Sequence, residues 1–442
     1  MNPVLRYAAL LLFLLLTSTG RAQTPLYFPP TTGTTWASTP PQSLGWCQPQ
    51  LDTLLNYLGR QHTKGFIVLK DGRLVVEQYY GSFTRDSLWY WASAGKSLTA
   101  TLVGVARQDG LLSLSDSASR FLGRGWTSAP AGKERLITVR HLLTMTSGLD
   151  DTPPAPCDNE STQAACLLYQ TDAGTRWAYH TGAYRKLQPL LAAASGLSMN
   201  QYTNQKIGNV IGMSGAWVND VYYSRLRDAA RFGLLVLARG NWNGTAVLRD
   251  TTYFRQMTTP SQPLNRSYGY LWWLNGQSSY MLPQSQLVLP GPLVPTAPAD
   301  MLMALGKNDQ KIYVVPSLGL VAVRLGQSAG QPKLALSSFD TELWRRLMAT
   351  VQCRPSAAAV PAHPAPLAPY PVPAADELTV PLDAAWGRVQ LRLYNVLGRC
   401  VRSATGQAPY QPLSLRGLPA GSYYLQAVDG QGQMLGSSRV LH

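Results

Sequence analysis

Ser93 and Lys96 lie three residues apart in the segment Trp91-Ala92-Ser93-Ala94-Gly95-Lys96-Ser97. A serine hydroxyl is a weak nucleophile until a base removes its proton. A lysine is such a base when burial or a neighbouring positive charge lowers its pKa. At the start of a helix, residues i and i+3 share one face. The free backbone N–H groups there also suit an oxyanion. A Ser-x-x-Lys tetrad arises by chance in a chain of this length, as a capping serine beside a surface lysine. The surrounding elements therefore decide its meaning.

The segment that follows Ser93 reads as a helix over residues 93–108. Leu98, Leu102 and Val105 recur at helical spacing, and Gly110 stops the run. Before it, residues 65–80 form a hairpin pattern. Two β-rich runs flank Asp71-Gly72, a strong two-residue turn signal. The middle of the chain mixes helices and loops, including a helical run over 227–237. Strand character returns at 301–305, 311–315 and 320–325. Strands at both ends of a domain with helices between them predict an α+β fold with an antiparallel sheet.

The chain has 442 residues and 45% hydrophobic residues, enough for a large core in each of two or three domains. Residues 1–22 read as a signal peptide: Arg6, an apolar run over 8–16, then Gly20 and Ala22 before cleavage. The apolar run is too short for comfortable spanning, and no later run is long enough. A secreted protein without a transmembrane segment is expected. Residues 23–45 are a Thr/Pro/Ser-rich lead-in and 46–353 the main domain. Residues 354–369 form a Pro/Ala-rich linker, and 370–442 a small all-β module. The formal charge is +15, but arginines and lysines are scattered, with no basic run interleaved with aromatics. Nucleic-acid binding is therefore not expected. No Asp/Glu/His/Cys set has metal spacing, and no cofactor is implied.

Residues 91–110 (WASAGKSLTATLVGVARQDG) resemble the nucleophile helix of the serine β-lactamase and penicillin-binding family. Residues 137–149 (ITVRHLLTMTSGL) resemble its "RHLLTHTSGL" block, and residues 174–184 (GTRWAYHTGAY) its "PGxxxxYSNxGY" block. DAARFGLL (228–235), YGYLWW (268–273) and QKIYVVP (310–316) follow in family order. The flavour is that of the class C branch, with its esterases and aminohexanoate-oligomer hydrolases. The resemblance implies a β-lactamase-like fold, an antiparallel sheet flanked by helices with a helical subdomain.

It also implies roles: Ser93 as nucleophile, Lys96 as base, and Tyr179 as proton shuttle. A phenol beside an ammonium is expected to titrate below its usual range. Thr181 stands where the family has Asn, keeping a hydroxyl but losing the amide fork. His180 is a further candidate to line the cleft. The family's Lys-Thr-Gly or His-Thr-Gly is absent; Ala304-Leu305-Gly306 takes its place. This puts the second oxyanion N–H on Lys307, the first being that of Ser93. With Ala304 at the cationic position, a substrate carboxylate loses its partner. His141 is expected to be a helix residue. Trp89, Trp91, Trp177, Trp272 and Trp273 are read first as core aromatics that could also wall the site.

Secretion permits disulfides. Cys157 and Cys166, which flank a short polar loop, are expected to pair. Cys47 and Cys353 are a second candidate pair, because the ends of this fold lie close together. Cys400 is left over.

The last segment resembles the C-terminal sorting domain of the type IX secretion pathway. Tyr370-Pro371-Val372-Pro373 with Leu378-Thr379-Val380 resembles its "YPNP…LTV" opening. VQLRLYNVLG (389–398) and LPAGSYYL (418–425) resemble its two strongest blocks. The resemblance implies the type IX secretion machinery as partner, export to the outer surface or medium, and removal of the tail. Three functions remain open at this point. One is a hydrolase of small or peptide-like esters or amides. Another is a D,D-peptidase or β-lactamase acting on peptidoglycan-like substrates. The third is a silent binding protein on the same fold.

Overall fold

The computed structural model describes residues 25–330, 337–353 and 365–442. The signal-peptide reading of residues 1–22 and most of the linker lie outside them. The chain divides into two compact units after Cys353.

The first unit is built on a six-stranded antiparallel sheet. Its order is Arg73–Tyr79, Thr63–Lys70, Leu320–Gly326, Gln310–Val315, Leu302–Gly306, Trp273–Leu274. The Asp71-Gly72 turn forms the hairpin as its sequence predicts, with both residues at positive φ. The late strands then pair with that early hairpin, Ile67 opposite Val323. Val68, Leu69, Val314, Val315, Val321 and Val323 are all buried. Such nearly unbroken apolar strands belong to a sheet covered on both faces.

Helix Leu226–Leu237 packs on the strand Leu320–Gly326. Gln48–Arg60 and Ser338–Val351 pack against each other, and Cys47 and Cys353 at their outer ends are disulfide-bonded, with a Cα–Cα distance of 5.2 Å. The lead-in is strapped to the hairpin: the Trp36 indole N–H donates to the Gly72 carbonyl at 2.8 Å.

The Ser93 helix differs slightly from the sequence reading. A 3-10 turn, Ala92–Ala94, precedes an α-helix over Gly95–Gln108. The helix is buried continuously from Gly95 to Ala106, so its polar residues need internal partners. Ser97 donates to the Leu271 carbonyl (2.7 Å), and the Thr99 and Tyr184 hydroxyls meet at 3.0 Å. A central helix of this kind is fixed from all sides, which suits a nucleophile.

In the second unit, Arg388–Asn395 alternates inward Val389, Leu391 and Leu393 with outward polar residues. Its five-stranded sheet runs Ala365–Pro366, Met434–Leu441, Ser422–Val428, Arg388–Asn395, Cys400–Gln407. A second, two-stranded sheet pairs Glu377–Pro381 with Tyr410–Ser414, and Leu378, Val380 and Leu413 join the same core. The Cys400 thiol is exposed and unpaired. Among the described residues no helix is long and apolar enough to cross a membrane.

Candidate active site

The chain reaches Ser93 from a short strand, Trp89–Tyr90, and turns through Ala92 at φ 48°. That left-handed conformation is unusual for alanine and presents Ser93 at the mouth of a cleft of about 300 Å³. The strand Leu302–Gly306 closes one side. A Cβ on Gly306 would stand 2.3 Å from the Trp91 carbonyl oxygen, so only glycine permits this approach. Lys307, the next residue, lines the cleft. Its turn is held from behind. The Gln310 amide donates to the Asn308 carbonyl (2.8 Å), and the buried Arg324 guanidinium donates to the Asn308 and Asp309 carbonyls (3.0 Å each).

The Lys96 ammonium nitrogen lies 2.9 Å from Ser93 Oγ and 3.3 Å from Thr181 Oγ1. Thr181 therefore keeps a contact to the lysine through its hydroxyl. Lys96 is 2% exposed. Burial, with the nearby Arg185 charge adding to it, pushes its pKa down to about 7. The nitrogen also sits 4.9 Å from the Tyr179 ring centroid and 4.6 Å from that of Tyr184. Once protonated, the ammonium has two aromatic faces to meet.

The Tyr179 phenol lies near enough to Ser93 for the serine hydroxyl to favour its ionised form. Its ring stacks on Trp273 at 5.7 Å and meets Tyr268 edge-on. This enclosure corrects one expectation. Burial raises the Tyr179 pKa rather than lowering it, and outweighs the opposing influence of Ser93. Lys96, its own pKa pushed down to about 7, carries only part of its charge at neutral pH and does little to pull the phenol down. Tyr179 thus rests as a neutral phenol.

Two other readings need correction. His180 does not line the cleft. It lies in an extended segment between Tyr179 and Thr181, so its side chain takes the opposite face. The ring is buried, with Nδ1 3.4 Å from the Ala183 amide and 3.2 Å from the Asn159 carbonyl, at the start of helix Thr181–Arg185. Ala304 is buried within its strand, paired with Ile312, and does not reach the cleft surface. His141 sits in a helix start, in a reciprocal cap with Thr138. Of the tryptophans, Trp177 and Trp273 pack behind Tyr179, and Trp91 and Trp272 pack against Phe232.

The sequence reading missed three charged residues that line the cleft and one asparagine that braces its wall. Cys157 and Cys166 are bonded as expected, with a Cα–Cα distance of 5.3 Å, and the loop they close delivers Asn159 and Glu160. Asn159 binds the Tyr179 carbonyl (3.0 Å) and the Thr181 amide (3.1 Å), clamping the backbone on either side of His180. Gly182 allows that contact, since a Cβ there would lie 2.0 Å from the Ser161 carbonyl oxygen. Glu160 pairs with Arg185 at 3.1 Å, and Arg185 lies 4.0 Å from Asp220. All three charged groups line the cleft. The only sequence signal for this wall was the pair of cysteines around a polar loop. No group of metal-binding residues occurs among the described residues.

Residues 56–336 match the β-lactamase family, so the chain belongs to that family and carries its hydrolase fold. Residues 368–437 match the secretion system C-terminal sorting domain, which marks the protein for secretion or the outer cell surface.

An uncharacterized protein of Alkalihalophilus pseudofirmus is 22% identical over 308 residues, 60% of this chain and 84% of its own. Among solved structures, a putative β-lactamase from Bacteroides dorei superposes with a TM-score of 0.55 at 19% identity, covering 70% of this chain and 100% of the other. A putative 6-aminohexanoate-dimer hydrolase from Bacillus anthracis gives 0.56 at 18% identity, covering 75% and 91%. EstCE1, a hydrolase with promiscuous acyltransferase activity, gives 0.52 at 14% identity, covering 70% and 99%.

Proposed function

We propose that the protein is an exported hydrolase that cleaves neutral esters or amides through an acyl-enzyme on Ser93. The observation that carries this reading is the 2.9 Å contact between Ser93 Oγ and a buried Lys96 whose pKa lies at about 7. Neutral Lys96 takes the proton as Ser93 Oγ attacks the carbonyl carbon. The backbone N–H groups of Ser93 and Lys307 receive the oxyanion. Tyr179, a neutral phenol near Ser93, passes a proton to the leaving oxygen or nitrogen and regains one from Lys96. Water then repeats the sequence on the acyl-enzyme, releasing the acid and restoring Ser93. Thr181 holds the lysine throughout. One fold relative is named a putative 6-aminohexanoate-dimer hydrolase and another a hydrolase with promiscuous acyltransferase activity, which agrees with this chemistry. The tail engages the type IX secretion machinery and is removed at export.

The second reading is a β-lactamase or D,D-peptidase. It is favoured by Lys307, which lines the cleft and makes no ion pair among the described residues. The two separate by one comparison. Where a carboxylate lacks its charged partner, a contact of about 1.5–3 kcal/mol is lost, worth on the order of 10–100-fold in rate at low substrate. A p-nitrophenyl short-chain ester is therefore expected to show the larger kcat/KM, and nitrocefin the smaller. Nitrocefin at or above the ester would place Lys307 on the substrate carboxylate and favour the second reading.

A further inference from the structure

A second cavity of about 640 Å³ adjoins the cleft, lined by His62, Trp89, Tyr90, Asn308 and the segment 327–330. Tyr90 lines both spaces. Its hydroxyl accepts from Asn308 Nδ2 at 2.9 Å, and Asn308 directly follows Lys307. A substrate reaching past Ser93 along the Lys307 turn therefore enters this cavity.

Its lining has a definite chemistry. Trp89 is half-buried and rigidly held. Its indole N–H donates to the Gly326 carbonyl at 3.2 Å. Its ring stacks with Tyr90 at 5.4 Å and meets Phe83 edge-on at 5.9 Å. Lys64 sits 6.0 Å from its centroid but does not line the cavity. Around the two rings stand an imidazole, two carboxamides and a hydroxyl: His62, Asn308, Gln327 and Ser328. Among the described residues no Asp, Glu, Lys or Arg lines the space. A charged ligand would find no counter-charge on these side chains. A purely apolar one would strip water from the polar side chains without replacing its hydrogen bonds, at about 1–3 kcal/mol for each. A neutral, hydroxyl-rich ring satisfies both parts, its C–H face on the aromatics and its hydroxyls on the amides and imidazole.

We infer that this cavity is a saccharide subsite, and that the scissile ester joins its acyl group to a sugar hydroxyl. This rests on the acyl-enzyme reading above. In the reaction the acyl–oxygen bond breaks, Ser93 Oγ takes the acyl group, and the sugar oxygen leaves as a hydroxyl with the proton passed through Tyr179.

Two measurements on the full chain test it. In a Ser93→Ala background, xylotetraose, cellotetraose and chitotetraose are titrated by calorimetry. At least one is expected to bind, and adding Trp89→Ala is expected to weaken it about 10-fold or more. In the wild-type background, Trp89→Ala is expected to lower kcat/KM for an acetylated form of the bound tetrasaccharide about 10–100-fold, and that for p-nitrophenyl acetate about twofold or less. Gln327→Ala should show the same selectivity with a smaller loss and serves if Trp89→Ala does not fold. Absence of binding by all three sugars, or equal losses on both acetyl substrates, overturns the inference. Failure of the wild type on every ester would defeat the acyl-enzyme reading instead, while the binding titration still decides the subsite.

Discussion

Replacing Ser93 by alanine is expected to abolish covalent labelling by a fluorophosphonate and to lower kcat by at least about 10⁴-fold. The residue sits at the one point where a base, a phenol and a strand-end turn converge. Lys96 lies 2.9 Å from its oxygen, and the Tyr179 phenol stands near enough to feel it. Alanine removes one atom from a half-buried position and disturbs no backbone contact, so the thermal transition should stay close to that of the wild type. Labelling that persists in the folded variant would assign the nucleophile to another residue. Loss of activity with loss of fold would say nothing of chemistry, which is why the melting curve belongs to the test.

Lys96→Met is expected to be inactive and, at neutral pH, more stable than the wild type. The sign follows from the direction of the shift. The unfolded lysine titrates near its ordinary value, 10.5, and the folded one at about 7. Above 10.5 both states are neutral and burial carries no proton penalty. As pH falls from there, the unfolded state gains a proton that the folded state refuses, and native stability is lost until pH passes through 7. Each pH unit across that window is worth about 1.4 kcal/mol, so relief of roughly 3–5 kcal/mol is available below pH 7. The lost hydrogen bonds to Ser93 and Thr181 return part of it. Denaturant unfolding at pH 7 and at pH 10 checks this: the advantage of Lys96→Met should be large at the first and shrink at the second. A difference independent of pH would mean that Lys96 is buried as an ammonium. In the active enzyme the same titration should appear as an acid limb in kcat/KM with its midpoint near pH 7.

The parts of this site legible in the sequence were those whose signal is local. Ser93, Lys96 and Tyr179 come with recognisable flanks, and Asp71-Gly72 declares its own turn. Gly306 was found by its place in a triplet, and the structure adds the reason, a carbonyl oxygen where a Cβ would be. What stayed hidden depends on three dimensions. Asn159, Glu160, Arg185 and Asp220 meet only because a cystine loop, a helix and a β-turn come together, and none carries a motif. His180 was misread because adjacency to Tyr179 along an extended chain means the opposite face. The Tyr179 shift was misjudged in sign because neighbouring charge was weighed without burial, and the same burial removes part of that neighbour's charge at neutral pH. In the tail, the resemblance of residues 389–398 to a family block was plain, but the pairing order of the strands could not be read from it.

The Cys47–Cys353 bond also has a mechanical meaning. The two sulfurs close a ring spanning 306 residues, and the whole central sheet lies within it. The sorting tail attaches just outside, after Cys353. A pull applied through the tail enters at Cys353 and crosses to Cys47 along covalent bonds. The hydrogen-bonded strands between them are not in series with the load. Traction during export would strain the segments flanking the ring before the sheet that positions Ser93. In a pulling experiment gripping both ends of the chain, the oxidised ring should withhold its contour length, and reductant should release it, roughly 3.3–3.6 Å for each enclosed residue.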